Sequence, residues 1–586
     1  MSRTKALRIC SGLSALALTC LVGVAQAAPA ALTRMGSGGL DTAPSGLSGN
    51  GPEFAPQPVQ DNPLPAGTLS VPTPNSASVT NRVPHSVLGA SGLNHHDQRT
   101  ADNGHQFSLE PPDQGLCVGN GYVIEAVNNV IRVRSAATNA PMGGVTSLSR
   151  FFGFGSEFDR SQPAGAPRFG PFLSDPKCVY DVDTKRFFVT ELAIATDPVT
   201  DAFTGPTAIV IAVSTSSDPT QPFAVFVLST TNDGSNGITH PNCPCLPDQP
   251  LIGLDSNGLY ISTNEFSVFG NGFNGSQLYG ISKQKLAAAA DGATGAIYVG
   301  YVNAGGLATP DVGGVWYSVQ PASYTPNEDD SGYNAEASAH NGVEYFLSAL
   351  EFFGVGDTRV ALWALTNTNS LQTNNPQLGV QIKTITTQTF YTGPGNLNQK
   401  GSTGQIQSND DRMNQVTKNG NTLFGAVNTA LSDSSGAKAG IAYWGIKPHW
   451  NHNTLSGSVA VQGYVAVNGD SVVFPSIAMN RDGVGMMAFS LIGPDYYPSA
   501  AFVRFSNHGG ANGPVVVAGA GVAPYASFGV VPGVSAGRWG DYSAVADDTG
   551  NVWGAAEYIP TASFGAAANG GLANWGTFVW RYTPDN

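Results

Sequence analysis

One pattern recurs along the chain and restricts what it can fold into. In "DQPLIGLDSNGLYIST" (248–263) an Asp opens an apolar run, a turn of Asp, Asn and Gly follows, and a second apolar run closes it. Asp248 and Tyr260 stand twelve positions apart. The same spacing runs from Asp175 to Phe187, from Asp411 to Leu423 and from Asp541 to Trp553. It recurs with other first residues from Tyr333 to Tyr345 and from Phe474 to Met486, and in shortened form from Asp113 to Tyr122. The seven starts lie 62, 73, 85, 78, 63 and 67 residues apart. A repeat of this kind constrains a fold more than any local propensity does.

Each copy reads as strand, turn, strand, because Asp, Asn and Gly tolerate the positive φ of a tight hairpin. Further β-branched and aromatic runs follow, such as "AIVIAVS" (208–214), "TRVALWALT" (358–366) and "AGIAYWGI" (439–446). Each unit thus has room for four antiparallel strands. Seven such units predict an all-β chain, a seven-bladed β-propeller, since radial repetition hides most sheet edges. After Asp541 only 45 residues remain, one strand too few. The spacing predicts that a segment within "SVTNRVPHSVL" (78–88) completes the last blade.

Composition agrees. Gly numbers 72 while only 12% of residues are charged, which suits short strands and turns. "SKQKLAAAADGA" (282–293) is the one short helix expected. Residues 1–27 read as a secretory signal: Arg3, Lys5 and Arg8, an apolar stretch, then Ala25-Gln26-Ala27. Its removal takes the formal charge from −14 to −17. A surface so acidic, without a Lys/Arg cluster, argues against nucleic acid as partner, and no later run is long enough to span a membrane. The chain is expected to be secreted and monomeric. Residues 28–78 read as a Pro/Gly/Ser-rich linker and 79–586 as the propeller. "NHHDQRTADNGH" (94–105), with His95, His96, His105, Asp97 and Asp102, reads as a solvated loop.

Four cysteines remain in the exported chain, and four allow three pairings. Cys117 and Cys178 hold similar places in successive repeats, which favours Cys117–Cys178 and leaves Cys243–Cys245. A metal site of Cys243, Cys245 and His240 is the competing reading, set against the tendency of exported thiols to pair.

In a propeller the first residue of each repeat stands at one mouth of the central channel. A hairpin brings position sixteen back beside it. Asp175 should therefore face Glu191, and Asp541 should face Glu557, with Asp248 near Asn264 and Glu265. Loops at the same mouth carry Phe266, Phe269, Phe352, Tyr496, Tyr497 and Tyr558, with Glu351, Arg412, Arg538 and Trp539 close by in sequence. Such a mouth suits a carbohydrate, with rings stacking on sugars and carboxylates acting as acid and base. The expected catalytic groups are Glu191 and Glu557, with Asp175 and Asp541. Asp248, Glu265, Phe266, Arg412, Tyr496, Tyr497, Arg538 and Trp539 are the expected binding groups. A Ca²⁺ ion on the carboxylates is the second reading, with no other cofactor expected. In the third, each first-position Asp only fixes one blade against the next. Recurrence in five of seven units favours that architectural role for any single Asp.

"SSDPTQPF" carries Ser216, Asp218 and Phe223 at three places of the Asp-box hairpin of sialidase-like propellers, with Thr220 and Pro222 replacing the usual Gly and Thr. "GNGYVIEAVNN", "NDDRMNQV", "GPDYYPSAAF" and "RWGDYSAV" resemble a group of secreted bacterial propeller proteins without assigned activity. The resemblance implies the fold and export. Sialidases need three arginines on one carboxylate and a Tyr/Glu pair. Arg412 and Arg538 match two of the arginines, and Arg168 or Arg504 is the candidate third. The expected function is recognition of an extracellular glycan, with sialidase-like glycoside hydrolysis open. The alternative is a non-catalytic cell-surface or matrix binding module.

Overall fold

The computed structural model describes residues 31–41, 46, 71–310, 314–325, 339–350, 355–527, 536–548, 550–564, 566–567 and 570–584. The signal segment, Tyr333, Glu351 and Phe352 lie outside the described residues.

The described chain is all-β, laid out as successive antiparallel meanders. The first comprises Gln114–Gly119, Tyr122–Val127, Val130–Ser135 and Thr146–Ser147. The second comprises Phe172–Asp181, Arg186–Thr196, Phe203–Ser214 and Phe223–Ser229. The third runs Cys245–Leu254, Gly258–Ser267, Phe273–Ser282 and Val299–Asn303. The fourth runs Gln320–Thr325, Val343–Ala349, Asp357–Thr366 and Gly379–Tyr391. The fifth runs Val416–Asn419, Thr422–Asp433, Gly436–Asn451 and Thr454–Val465. The sixth runs Ser471–Met479, Val484–Ile492, Ser499–Ser506 and Gly510–Gly519. The seventh has Ala544–Asp548, Asn551–Tyr558 and Gly576–Tyr582.

The missing strand comes from the N-terminal side, slightly later than expected. Val87–Asn94 pairs antiparallel with Gly576–Tyr582. The 78–88 segment contributes otherwise: Val79–Thr80 runs parallel to Val515–Val516 of the sixth meander. Part of the expected linker is also a strand. Thr33–Gly38 pairs with Phe223–Val227 as a fifth strand on the second meander, its side chains almost all exposed.

Apolar side chains join each meander to the next. Ile124 and Ile131 pack with Phe187 and Val189, and Ile209 and Ile211 with Leu259 and Ile261. Similar clusters follow around the chain, and the last joins Trp553 and Val579 of the seventh meander to Leu116 and Val123 of the first. Full burial of each large side chain stabilises by roughly 1.5–3 kcal/mol. First strands of neighbouring meanders come close enough that only glycine fits. A Cβ at Gly115 would lie 2.9 Å from Pro176 O, and one at Gly253 would lie 2.5 Å from Ala322 O.

Two expectations are corrected here. The first strand of the fourth meander is Gln320–Thr325, well before Tyr333, so an insertion separates the two arms of that hairpin. Residues 94–105 are not a solvated loop. His95–Thr100 is a helical turn capped by Asn94 Oδ1, which accepts from Asp97 N, and His95 is fully buried. Lys283–Ala290 is the expected helix, capped by Ser282 Oγ. Among the described residues no helix is long and apolar enough to cross a membrane.

Disulfides join Cys117 to Cys178 and Cys243 to Cys245. The first ties two neighbouring first strands across 61 residues of chain. Closing so long a loop restricts the unfolded chain and stabilises by roughly 4 kcal/mol. Calorimetry should show the Cys117→Ala/Cys178→Ala variant melting several degrees below wild type, while Cys243→Ser/Cys245→Ser, which opens a short ring, shifts the midpoint by about 1 °C or less.

Candidate functional site

The cluster of acids is built by one backbone device used repeatedly. Asp175, Gln249, Ser318, Asn409, Phe474 and Gly540 all have positive φ, between 38° and 61°, three of them inside a first strand and three shortly before one. The backbone N–H groups of Asp175, Ser318, Phe474 and Gly540 turn toward side chains in or just after second strands. Asp175 N donates to Asn128 Oδ1 (2.8 Å), Ser318 N to Asn264 Oδ1 (2.8 Å) and Phe474 N to Asn428 Oδ1 (2.6 Å). Gln249 N donates to Asp175 Oδ2 (3.0 Å), so Asp175 does tie one meander to the next.

A bulge follows in three of these strands, at Ser174/Lys177, Asp248/Leu251 and Val473/Ser476. Each contains a proline: Pro176, Pro250 and Pro475. Proline has no N–H for the ladder, so an interior strand holds it at a bulge. The bulges align Asp175 with Gln249, not with Asp248, which corrects the repeat register by one residue.

Four of the first-position acids converge. Asp113 and Asp175 are buried, and Asn128 bridges them: its Nδ2 donates to Asp113 Oδ2 (2.6 Å) while its Oδ1 receives Asp175 N. Burial, then the charges of Asp541 and Asp175, hold the Asp113 carboxyl well above its usual range. Asp248 and Asp541 are only partly buried. Burial and the Asp175 charge raise Asp248 to about 7, opposed by Arg412. The guanidinium of Arg412 clamps Asp410 through Nε (2.7 Å) and Nη2 (2.6 Å), and its Nη1 donates to Gln249 Oε1 (2.9 Å). Arg538 Nη2 donates to Asp541 Oδ2 (2.8 Å), and Asn409 Nδ2 donates to its Oδ1 (3.0 Å). Asp248, half-buried, therefore feels the charges of both pairs, Arg412 and Arg538 lowering its carboxyl and Asp541 raising it. Beside them a cavity is lined by Lys177, Gln320, Tyr324, Gln415 and Tyr542 from four meanders. The Lys177 ammonium sits 3.1 Å from the centroid of the Tyr542 ring, and burial lowers it to about 8.

Other expected site residues stand elsewhere. Glu191 does lie opposite the Asp175 bulge, but it is fully buried, and among the described residues neither of its carboxyl oxygens has a hydrogen-bond partner. Burial, then Glu157 and Asp175, push it well up. Glu557 is 1% exposed and accepts from Gly540 N (2.8 Å). Burial at 0% and 1% exposure keeps both from touching a ligand in solvent. Glu265 is buried on the side of its strand away from the acids, where His240 Nδ1 lies 2.6 Å from it and Asn274 Nδ2 2.8 Å. Trp539 is core: 1% exposed, donating from Nε1 to Ser490 Oγ (3.1 Å) and set edge-on to Tyr525. Phe266 stacks on Phe273 with centroids 4.5 Å apart, and Phe269 beside them is 64% exposed. Tyr496 packs on the core of its own meander, and the Lys400 ammonium lies 5.2 Å from the Tyr497 ring. The arginines do not gather as a sialidase requires: Arg168 stacks on Phe158 and Phe169, and Arg504 is exposed on the third strand of the sixth meander. Ser216–Phe223 forms the turn between the third and fourth strands of the second meander, where Asp218 Oδ1 accepts from Thr220 N (2.9 Å).

Asn128, Gln249, Asn409, Asp410, Lys177 and Tyr542 were not singled out by the repeat. The recurring residue-then-proline step at 175–176, 249–250 and 474–475 was the signal that marks the bulge and the true register. Among the described residues, one set of His, Cys, Asp and Glu side chains is gathered tightly enough for a single ion: Cys243, Cys245 and Glu265. The disulfide occupies both sulfurs, which closes the thiolate site with His240 in this oxidised form.

The class defined so far is an all-β chain of antiparallel meanders that gathers acids and arginines from several repeats. No protein-family model matches the chain, and no curated protein matches it in sequence. Solved structures similar to it include the phage phi92 endosialidase, 9% identical, with a TM-score of 0.31 over 70% of this chain and 67% of that one. The Trypanosoma rangeli sialidase in complex with sialic acid is 10% identical, with a TM-score of 0.32 over 72% of this chain and 56% of its own length. 1,3Gal43A, an exo-β-1,3-galactanase from Clostridium thermocellum, is 10% identical, with a TM-score of 0.27 over 84% and 97%.

Proposed function

We propose that the chain is a closed seven-bladed β-propeller, exported from the cell, that binds an extracellular glycan at its mouth without cleaving it. Closure is supported by the cluster joining the seventh meander to the first and by the N-terminal strand on the last sheet. The observation that carries the binding function is Asp248 set between the Arg412–Asp410 and Arg538–Asp541 pairs, partly open to solvent. Carboxylates accept and guanidiniums donate, so adjacent sugar hydroxyls meet both kinds of partner already held in place. Holding them beforehand lowers the ordering cost of binding. Burial of Glu191 and Glu557 argues against hydrolysis, since a general acid or base must come within hydrogen-bond reach of the reacting atoms.

A glycan array followed by calorimetry with the strongest hit tests this. Asp248→Asn and Arg412→Gln should each weaken binding at least tenfold, about 1.4 kcal/mol, while Glu191→Gln changes it less than twofold. Binding should strengthen as pH rises through about 7, where Asp248 ionises, and Asp248→Asn should flatten that profile. An empty array overturns glycan recognition. Turnover of chromogenic glycosides that Glu191→Gln abolishes overturns the non-catalytic assignment.

A further inference from the structure

The Cys243–Cys245 disulfide lies in the tightest group of metal-ligating side chains among the described residues, away from the mouth acids. Its sulfurs and a Glu265 carboxylate oxygen all lie within 4.8 Å of one another. Cys243 Sγ is 3.8 Å from Glu265 Oε1. Glu265 is 2% exposed and fixed by Asn232, by Asn274 Nδ2 (2.8 Å) and by His240 Nδ1 (2.6 Å). His240 is itself held through Nε2 by Tyr301 Oη (3.1 Å) and Asn303 Nδ2 (3.2 Å). A buried carboxylate oriented by an imidazole, next to two sulfurs, is the outer and inner arrangement of a zinc site.

We propose that Cys243–Cys245 is a redox gate: its reduction creates a Zn²⁺ site of two thiolates and the Glu265 carboxylate, with His240 as a positioning residue. Tetrahedral zinc with bonds of about 2.0–2.3 Å needs ligand atoms about 3.3–3.8 Å apart. The two sulfurs need only separate by side-chain rotation to reach this, because Glu265 is already in range. A water fills the fourth position. The reducing step is exchange with a dithiol: two thiols form on Cys243 and Cys245, and the dithiol leaves as its own disulfide. Zinc then displaces the two thiol protons.

The fold tolerates opening this bond, because the ring spans only Pro244 and constrains the unfolded chain little. It is also the more reachable of the two disulfides. Cys243 is half-buried and offers a sulfur to an attacking thiolate, whereas Cys117 and Cys178 are both buried. Access and leaving-group character govern such exchange.

The test uses the full exported chain with a water-soluble phosphine, which takes oxygen from water to become its oxide as the disulfide becomes two thiols. Reduction is stopped when two thiols per chain are titrated, and zinc is measured by competition with a chromophoric chelator. One Zn²⁺ per reduced chain and none per oxidised chain is expected. Co²⁺ in its place should give thiolate charge-transfer bands. Cys243→Ser should abolish binding, and Glu265→Gln and Glu265→Asp should weaken it at least tenfold. Circular dichroism and melting of each variant separate ligand loss from unfolding. A folded, doubly reduced chain that binds no zinc overturns the proposal, as does zinc binding that survives Cys243→Ser. Unchanged affinity in Glu265→Gln overturns the carboxylate as ligand.

Discussion

A chain that begins at His95 should fail to fold cooperatively. It would lose Val87–Asn94, whose backbone pairs with Gly576–Tyr582 from Val87↔Tyr582 to Asn94↔Gly576. Without it the last sheet has three strands and an open edge whose polar groups lack partners, which favours pairing with other chains. Leu93 would leave a core where it is fully buried, and its N–H would no longer satisfy Glu125 Oε1 (2.8 Å). Thr577 Oγ1, which donates to Leu93 O, would lose that acceptor as well. Seven meanders each packed on two neighbours lose cooperativity when one closing contact goes. Removal of residues 31–41 makes the contrasting case. Thr33–Gly38 adds an outer strand with exposed side chains, and only Leu32 and Leu40 beside it pack half-buried on the core, so loss of the segment should lower the melting midpoint by about 3 °C or less. Sedimentation and thermal melts of the two truncations check this. A His95-start chain that melts in one sharp, reversible step near the wild-type midpoint would show that the last sheet needs no N-terminal strand.

The repeat was legible because its spacing reflects a physical unit: two arms of a hairpin whose turn needs Asp, Asn or Gly. Asp175 to Phe187 and Phe474 to Met486 fall on the first two strands of their meanders as read. Where a unit departs from the simple hairpin, spacing misleads. Gln320–Thr325 is hidden from the repeat by the insertion before Val343, and Asp248 takes the place of Gln249 until the bulge at Pro250 is seen. The approach of Asp541 to Asp113 was legible only through the expectation that the last repeat meets the first, since they are far apart in sequence. Side-chain direction was not legible. Alternation along a strand separates two faces, but here both faces of most sheets are packed against neighbours. Glu191, Glu265 and Glu557 therefore read as polar and exposed, whereas the structure buries all three. Trp539 read as a binding residue for the same reason, while its Nε1 donates to Ser490 inside the core.

That burial has a thermodynamic consequence of the opposite sign to most proteins. A carboxyl raised in the folded state stabilises fully below its unfolded pKa, and that stability is lost as pH climbs through the folded value. Glu157 is buried, accepts from Asn129 Nδ2 (2.9 and 3.1 Å), and is pushed by burial to about 8 from 4.5. Between pH 5 and pH 8 that shift alone removes roughly 3–4 kcal/mol. Asp113, Glu191, Glu344 and Glu557 are raised as well, each chiefly by burial, and act in the same direction. Groups shifted the other way lose their contribution only in stronger acid. Asp433, held at about 2 by Lys438, Gly469 and Ser435 against its partial burial, is the clearest. The stability maximum should therefore fall near pH 5. The melting midpoint should drop on going to pH 8 by about 4 °C or more, at about 1 °C per kcal/mol for a chain of this length. Glu157→Gln keeps the Asn129 contact while removing the titration, so it should recover most of its share of the loss at pH 8. Differential scanning calorimetry of both proteins from pH 4 to pH 8 reads this directly. A wild-type midpoint that climbs from pH 5 to pH 8 would mean these carboxyls are ionised and paired in the folded protein, and that the sheets enclose far more water than their packing implies.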